Sequence, residues 1–225
     1  MGDVLLTGAT GGIGAALVPA LVSSGHRVIA VGRDAGGLHP MAARTIVADL
    51  AQVDRLAGAV GELAALDALV HCAGVSEVAA VADTQPATWR DMLTVNVAAA
   101  AELTRLALPA LRRSRGHVVF VNATPGMRAV PRWSAFTASK AALRELADSL
   151  RAEEAVHGIR VTTVYPAGTA TERLRRIRTA FGRPYDPARS IQPATLAAMI
   201  VWVLAAPPDA YVSELAVLPA PLGVA

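Results

Sequence analysis

Short runs rich in valine and isoleucine alternate along this chain with longer alanine- and leucine-rich stretches of helical spacing, and no other feature narrows the possible folds so far. Strands are expected near Val4–Leu6, Arg27–Val31, Thr45–Val47, Ala68–His71, His117–Val121, Arg160–Tyr165 and Glu214–Leu218. Helices are expected near Ile13–Ser24, Val53–Leu66, Trp89–Leu111, Ser134–Val156 and Ala194–Leu204. This alternation predicts an α/β fold, a doubly wound parallel sheet of about seven strands with helices on both faces, occupying residues 1–225 as one domain. With 53% hydrophobic and 17% charged residues the chain can fill one sizeable core and is too poor in charge to be disordered.

Other classes are excluded by particular residues. The single cysteine, Cys72, rules out an internal disulfide and a cysteine zinc cage. A net charge of +3 with no basic stripe interleaved with aromatics argues against a nucleic-acid partner. No charge occurs from Val4 to His26, but glycines, Pro19 and two serines interrupt that run and no basic flank precedes it, so neither a membrane span nor an export signal is expected. A cytoplasmic location follows as an expectation. The one long stretch without a clear strand or core helix is 169–193, which carries Arg173, Arg175, Arg176, Arg178, Arg183 and Arg189 and is expected to form a lid.

The first strand runs into Thr7-Gly8-Ala9-Thr10-Gly11-Gly12-Ile13-Gly14 and then into a helix. Glycines there allow a tight turn and let backbone N–H groups approach a pyrophosphate, while the helix N-terminus favours the anion. Nucleotide binding is the expectation, with a bland tight turn as the alternative. After the second strand the acidic residue that would take a ribose 2′-hydroxyl is replaced by Gly32-Arg33-Asp34. Arg33 suits a 2′-phosphate and so favours NADPH, although a solvated arginine or a role for Asp34 in binding NAD stays open.

These residues resemble the short-chain dehydrogenases/reductases. Thr7–Gly14 has the T-G-x-x-x-G-x-G spacing, and further matches follow in order over residues 3–218: Asp49, His71-Cys72-Ala73-Gly74 for N-N-A-G, Asn96, Ser139-Lys140, and Pro166 to Thr171 for P-G-x-x-x-T. The resemblance implies that Asp49 and Leu50 meet adenine, that Ala73 and Gly74 flank its ribose, and that Lys140 holds the nicotinamide ribose. It also implies that Pro166, Gly168, Thr169 and Thr171 cover the carboxamide and phosphates; Ala167 stands where the family has glycine. A homo-oligomer, dimer or tetramer, is implied through Trp89–Leu111 and Ser134–Val156.

The catalytic pattern departs from the family. Four residues before Lys140, where a tyrosine protonates the carbonyl oxygen, stands Phe136, and the serine position falls on Ala123, so Asn96 and Lys140 alone remain of the usual four. A general acid contributes about 10²–10⁴ in rate and an oxyanion donor about 10²–10³, so an ordinary ketone should be reduced very poorly. Asn122, Thr124, Ser134, Thr137, Tyr165 and Tyr185 are the local substitutes to check, and His71 is either a proton carrier or a buried strand-end histidine. Three functions remain. The first is an NADPH-dependent ketoreductase on a small-molecule aromatic ketone whose own peri phenol supplies the proton, resembling atypical ketoreductases of aromatic-polyketide, angucyclinone-type antibiotic pathways. In it Ala123, Met127, Phe136 and Tyr185 line the substrate, with the arginine-rich lid over an acidic or oxygen-rich tail. The second is a non-catalytic NADP(H)-binding module, and the third a dehydratase or isomerase. No metal is expected.

Overall fold

Successive strand residues point to opposite faces of a sheet, and each inner strand here is apolar on both. Val4 and Leu6 of β1 (Asp3–Thr7) face one core cluster while Leu5 faces the other. In β5 (His117–Val121) Val118 and Phe120 take one side and Val119 and Val121 the other. A sheet buried on both faces requires a helical layer on each. The computed structural model describes residues 2–37, 39–124, 129–207 and 209–221.

The strands β1, β2 (Arg27–Gly32), β3 (Arg44–Val47), β4 (Ala68–His71), β5, β6 (Arg160–Pro166) and β7 (Glu214–Val217) form one all-parallel sheet in the order β3-β2-β1-β4-β5-β6-β7. All seven lie within a residue of their expected bounds. Parallel register pairs Leu5 with Ile29 on one side and with Leu69 on the other. Helices α1 (Gly12–Ser23) and α7 (Pro193–Leu204) cover one face; α2 (Leu56–Val60), α4 (Ala99–Ser114) and α5 (Ser134–Glu154) cover the other. Between β1 and β4 the winding reverses, and this switch point opens a crevice at the carboxyl ends of the strands.

Three helical expectations are corrected. The helix expected over Val53–Leu66 is a 3₁₀ turn, Val53–Arg55, followed by the short α2, which stops at Gly61 with φ +63°. The helix expected over Trp89–Leu111 begins earlier, at α3 (Pro86–Leu93) with proline in its first turn, passes through a π-helical turn at Thr94–Ala98 and continues as α4. The arginine-rich stretch contains α6 (Glu172–Ala180), capped by Thr171, whose Oγ1 accepts from Leu174 N at 3.2 Å. Its base is pinned, since Ile191 N donates to Gly168 O at 2.9 Å and Ala170 N to Ile191 O at 2.8 Å. Among the described residues no helix is long and apolar enough to cross a membrane.

Candidate active site

The glycine turn forms a cradle that side chains would fill. A Cβ on Gly14 would lie 2.1 Å from Gly8 O, and one on Gly8 2.7 Å from Ala73 N. Bare backbone therefore lies between β1, the start of α1 and the loop after β4, which is what close approach of a pyrophosphate requires. Thr10, Gly11 and Gly12 are exposed at its rim, with Ile13 partly covered behind them. Thr7 ties the two strand ends together, its Oγ1 accepting from Cys72 N and Ala73 N at 3.2 Å each. Thr171 lies against Gly12, so the root of the arginine-rich segment borders the same cradle.

At the end of β2 the carboxylate of Asp34 turns back on its own loop, where Oδ1 accepts from Gly36 N at 3.0 Å. Arg33 is exposed, and among the described residues it forms no ion pair. Asp49 is exposed after β3 with Oδ1 accepting from Ala51 N at 3.0 Å, and Leu50 is half-buried beside it.

Asn96 occupies the π-helical turn, where the extra residue redirects its amide into the protein. It is 2% exposed; Nδ2 donates to Val75 O at 3.0 Å and to Ser139 Oγ at 2.9 Å, and Oδ1 accepts from Val75 N at 2.8 Å. Asn96 thus fastens the loop that follows Gly74 to α5. The Ser139 hydroxyl donates in turn to Phe136 O at 2.8 Å.

Lys140 is buried on α5, and its Nζ donates to Val121 O at 3.1 Å and lies 5.9 Å from the centre of the Phe136 ring. Desolvation, and then the nearby Arg173 guanidinium, lower its pKa to about 8. Arg173 is exposed as a residue, but its guanidinium donates to Gly74 O. Burial pushes the Cys72 thiol up to about 11, leaving it protonated at neutral pH.

Ala123 and Phe136 both line a cavity of about 330 Å³ at the carboxyl edge of the sheet. Lys140, Pro166, Gly168, Thr169 and Thr171 line it as well, together with Ile13 and Ala73 from the cradle side. Phe136 is stacked on Trp133 at 4.5 Å, and Trp133 meets Phe181 edge-on at 5.6 Å. The arginine-rich segment contributes Arg173, Leu174, Ile177, Arg178, Phe181 and Arg183 to the walls.

Several candidates are not brought into this cavity as proton donors. Tyr185 is absent from its lining; Phe181 supplies the aromatic wall there. Tyr165 donates to Glu214 Oε1 at 3.2 Å toward β7, and burial raises its pKa to about 12. Asn122 and Thr124 do line the cavity, but their polar groups are engaged elsewhere: Thr124 Oγ1 donates to Pro166 O at 3.2 Å and Asn122 Nδ2 to Lys140 O at 3.1 Å, while Thr137, outside the lining, donates to Trp133 O at 3.1 Å. The Ser134 hydroxyl is buried without a partner among the described residues, outside the cavity lining. His71 is 4% exposed, stacked on Phe120 at 4.9 Å, with its pKa lowered to about 3 by burial, so of the two readings it is the neutral strand-end histidine. Met127 lies outside the described residues. Trp133 and Phe181 are site residues the sequence did not single out, and Arg173, expected in the lid, reaches Gly74 instead; the spacing of Leu174, Ile177 and Phe181 is the signal that marks Phe181.

The doubly wound sheet, the cradle at its switch point and a buried lysine beside a largely apolar cavity define a nucleotide-dependent oxidoreductase scaffold. The pattern of the short chain dehydrogenase family matches residues 3–181, and the chain belongs to that family. It is 32% identical over 228 residues to an uncharacterized short-chain type dehydrogenase/reductase of Sinorhizobium fredii, covering 96% of this chain and 90% of that protein. It is also 32% identical over 234 residues to the glycine betaine reductase ATRR of Emericella nidulans, covering 96% of this chain but only 18% of that protein. The chain thus spans less than a fifth of that relative's length. A metagenomic short-chain oxidoreductase solved in complex with NADP superposes with a TM-score of 0.81 at 28% identity, covering 96% of both chains.

Proposed function

We propose that the protein is an NADPH-dependent ketoreductase acting on a small aromatic-polyketide-like ketone, with the proton supplied by a phenol of the substrate. The carrying observation is the cavity itself: Lys140 lines it, Phe136 and Ala123 stand where the family has its two proton-handling groups, and among the described residues no tyrosine lines it. The cofactor assignment draws on the bare cradle, on the unpaired Arg33, and on the likeness to a relative solved with NADP. Gly8, Gly11, Gly12 and Gly14 would pass the pyrophosphate, Arg33 would take the 2′-phosphate, Asp49, Leu50, Ala73 and Gly74 would border the adenosine, and Lys140 would hold the nicotinamide ribose. Bound NADPH supplies the hydride that reduces the carbonyl carbon.

What the chain contributes is positioning and exclusion of water. The stacked Trp133 and Phe136 present an apolar, planar wall to a fused-ring ketone. A phenol peri to the carbonyl already donates an internal hydrogen bond to its oxygen. As the carbonyl carbon is reduced, that proton passes to the oxygen, the phenolate remains, and water returns a proton on release. Lys140 stays cationic below about pH 8 and lowers the energy of the developing negative charge. Assembly into a homo-oligomer through α4 and α5 belongs to the same proposal and is read by sedimentation.

A second reading has one observation of its own: Lys140, held near 8 and lining the cavity, is acidic enough to hand over a proton itself. The test is NADPH consumption on matched aromatic ketones, one with a free peri phenol and the other methylated there. Turnover of the free phenol alone is expected. Equal turnover of both transfers the role to Lys140, and no turnover despite tight NADPH binding refutes the ketoreductase.

A further inference from the structure

Besides Arg173 at its first turn, the residues of α6 and its end that line the cavity are Leu174, Ile177, Arg178 and Phe181, which is the i, i+3, i+4, i+7 stripe of one helical face. Three of these are apolar, as a face covering an apolar cavity should be, and the fourth is an arginine. Arginine is common in this chain, but its neighbours on the same helix behave differently. Arg175 pairs with Glu172 at 2.6 Å and Arg176 with the same carboxylate at 4.0 Å, both turned to solvent. Among the described residues Arg178 and Arg183 pair with no carboxylate, and both line the cavity. The cavity has Lys140, Arg173, Arg178 and Arg183 in its walls and, among the described residues, neither aspartate nor glutamate.

These cations are at two ends. Arg173 and Lys140 approach the same point beside Gly74, where the cofactor cradle meets the cavity. Arg183 is separated from them by a row of three rings. Lys140 Nζ lies 5.9 Å from the Phe136 ring, Phe136 4.5 Å from Trp133, Trp133 5.6 Å from Phe181, and the Arg183 guanidinium 5.5 Å from Phe181. Arg132, also 5.8 Å from Phe181, is engaged with Ala180 O at 3.0 Å; Arg183 N donates to Arg178 O at 2.8 Å, and among the described residues these two side chains have no hydrogen-bond or ion-pair partner. The nicotinamide ribose proposed for Lys140 and the Gly74 carbonyl on Arg173 account for the first pair of cations and leave the second without a partner.

Resting on the assignment of this cavity to the substrate, we infer that the substrate is an aromatic acid, its carboxylate bound by Arg178 and Arg183 at the end of the ring system remote from the reacting carbonyl. The three rings then contact its flat body, and the charge pair sets which end enters first. Planar guanidinium groups on a carboxylate give directional, charge-assisted hydrogen bonds, stronger in an apolar enclosure than in water.

The probes are a dihydroxyanthraquinone carboxylate with a phenol peri to a carbonyl and its methyl ester, titrated calorimetrically into the full chain saturated with NADP⁺. The acid is expected to bind about tenfold or more tightly than the ester. That ratio should fall toward one in Arg178→Gln/Arg183→Gln and persist in Arg175→Gln, which alters the solvent face of the same helix. Equal binding of acid and ester, a ratio that survives the double substitution, or no binding of either probe overturns the inference. Turnover is read separately with NADPH: an acid that binds selectively but is not reduced refutes the ketoreductase and leaves the anion site standing.

Discussion

Restoring the missing phenol is the sharpest probe of why this site has its present form. Phe136 is 6% exposed, stacked on Trp133, and its ring centre is 5.9 Å from Lys140 Nζ. Phe136→Tyr keeps the stack and adds one hydroxyl to a residue that lines the cavity, so the cost in stability should stay below about 1 kcal/mol. Two unit charges about 6 Å apart interact by roughly 3 kcal/mol at an effective dielectric constant near 20. That corresponds to about two pKa units and brings the introduced phenol from about 10 to about 8. A donor of that acidity is well matched to neutral pH, and reduction of the methylated ketone should rise by about 10²–10⁴, with Ala123→Ser adding about tenfold or more. Turnover of the free peri phenol should change little, because its proton is already in place. The variant's new activity should fall above about pH 8, as the phenol loses its proton. The assay is initial-rate NADPH oxidation on both ketones across pH, with NADPH affinity measured alongside. A folded double variant that binds NADPH as the parent does and still leaves the methylated ketone untouched would show that Phe136 does not face the reacting carbonyl.

Arg33→Ala should weaken NADPH binding by about 10–100-fold and leave NADH almost unchanged, because only the 2′-phosphate contact is removed; equal losses for both cofactors in a titration would sink the assignment. His71 and His117 are both held near 3 by burial, against 6.5 when unfolded, with a repulsion from Arg160 adding to the shift at His117. Between those values the unfolded chain binds more protons, so their contribution is full above about pH 6.5 and declines as the pH falls. At pH 5 the loss is up to about 2 kcal/mol for each histidine, measurable by urea unfolding at pH 7 and 5, and a flat profile refutes it.

The sheet was legible because a two-sided parallel strand is a short apolar run between glycines and helices; β1, β2, β4 and β5 carry that signal plainly, whereas the edge strands β3 and β7 are mostly exposed and carry it weakly. The arginine-rich segment hid its helix for a physical reason. In Glu172–Ala180 the stripe of Leu174, Ile177 and Phe181 is interrupted by charges that are favourable on an exposed helix but resemble a loop in composition. The π-helical turn has a side-chain composition compatible with an ordinary helix; only its hydrogen bonds differ, and these leave no mark in residue type. Within the site the glycines of the turn are marked by their spacing between a strand and a helix, and Lys140 by the resemblance to the family motif. The bond from Asn96 to Ser139 and the reach of Arg173 to Gly74 depend on tertiary approach that no local pattern encodes.

The strand order bears on how the chain is made. β1 lies between β2 and β4, and the register that joins Val4 to Ala68 spans more than sixty residues. At about 5–20 residues per second on a ribosome, the apolar edge of β1 waits roughly three to thirteen seconds after its own synthesis before its second neighbour exists. During that interval Val4, Leu5 and Leu6 offer unpaired backbone to any other nascent strand. Growth temperature and holdase supply should therefore govern the soluble yield of this protein more strongly than its final stability does.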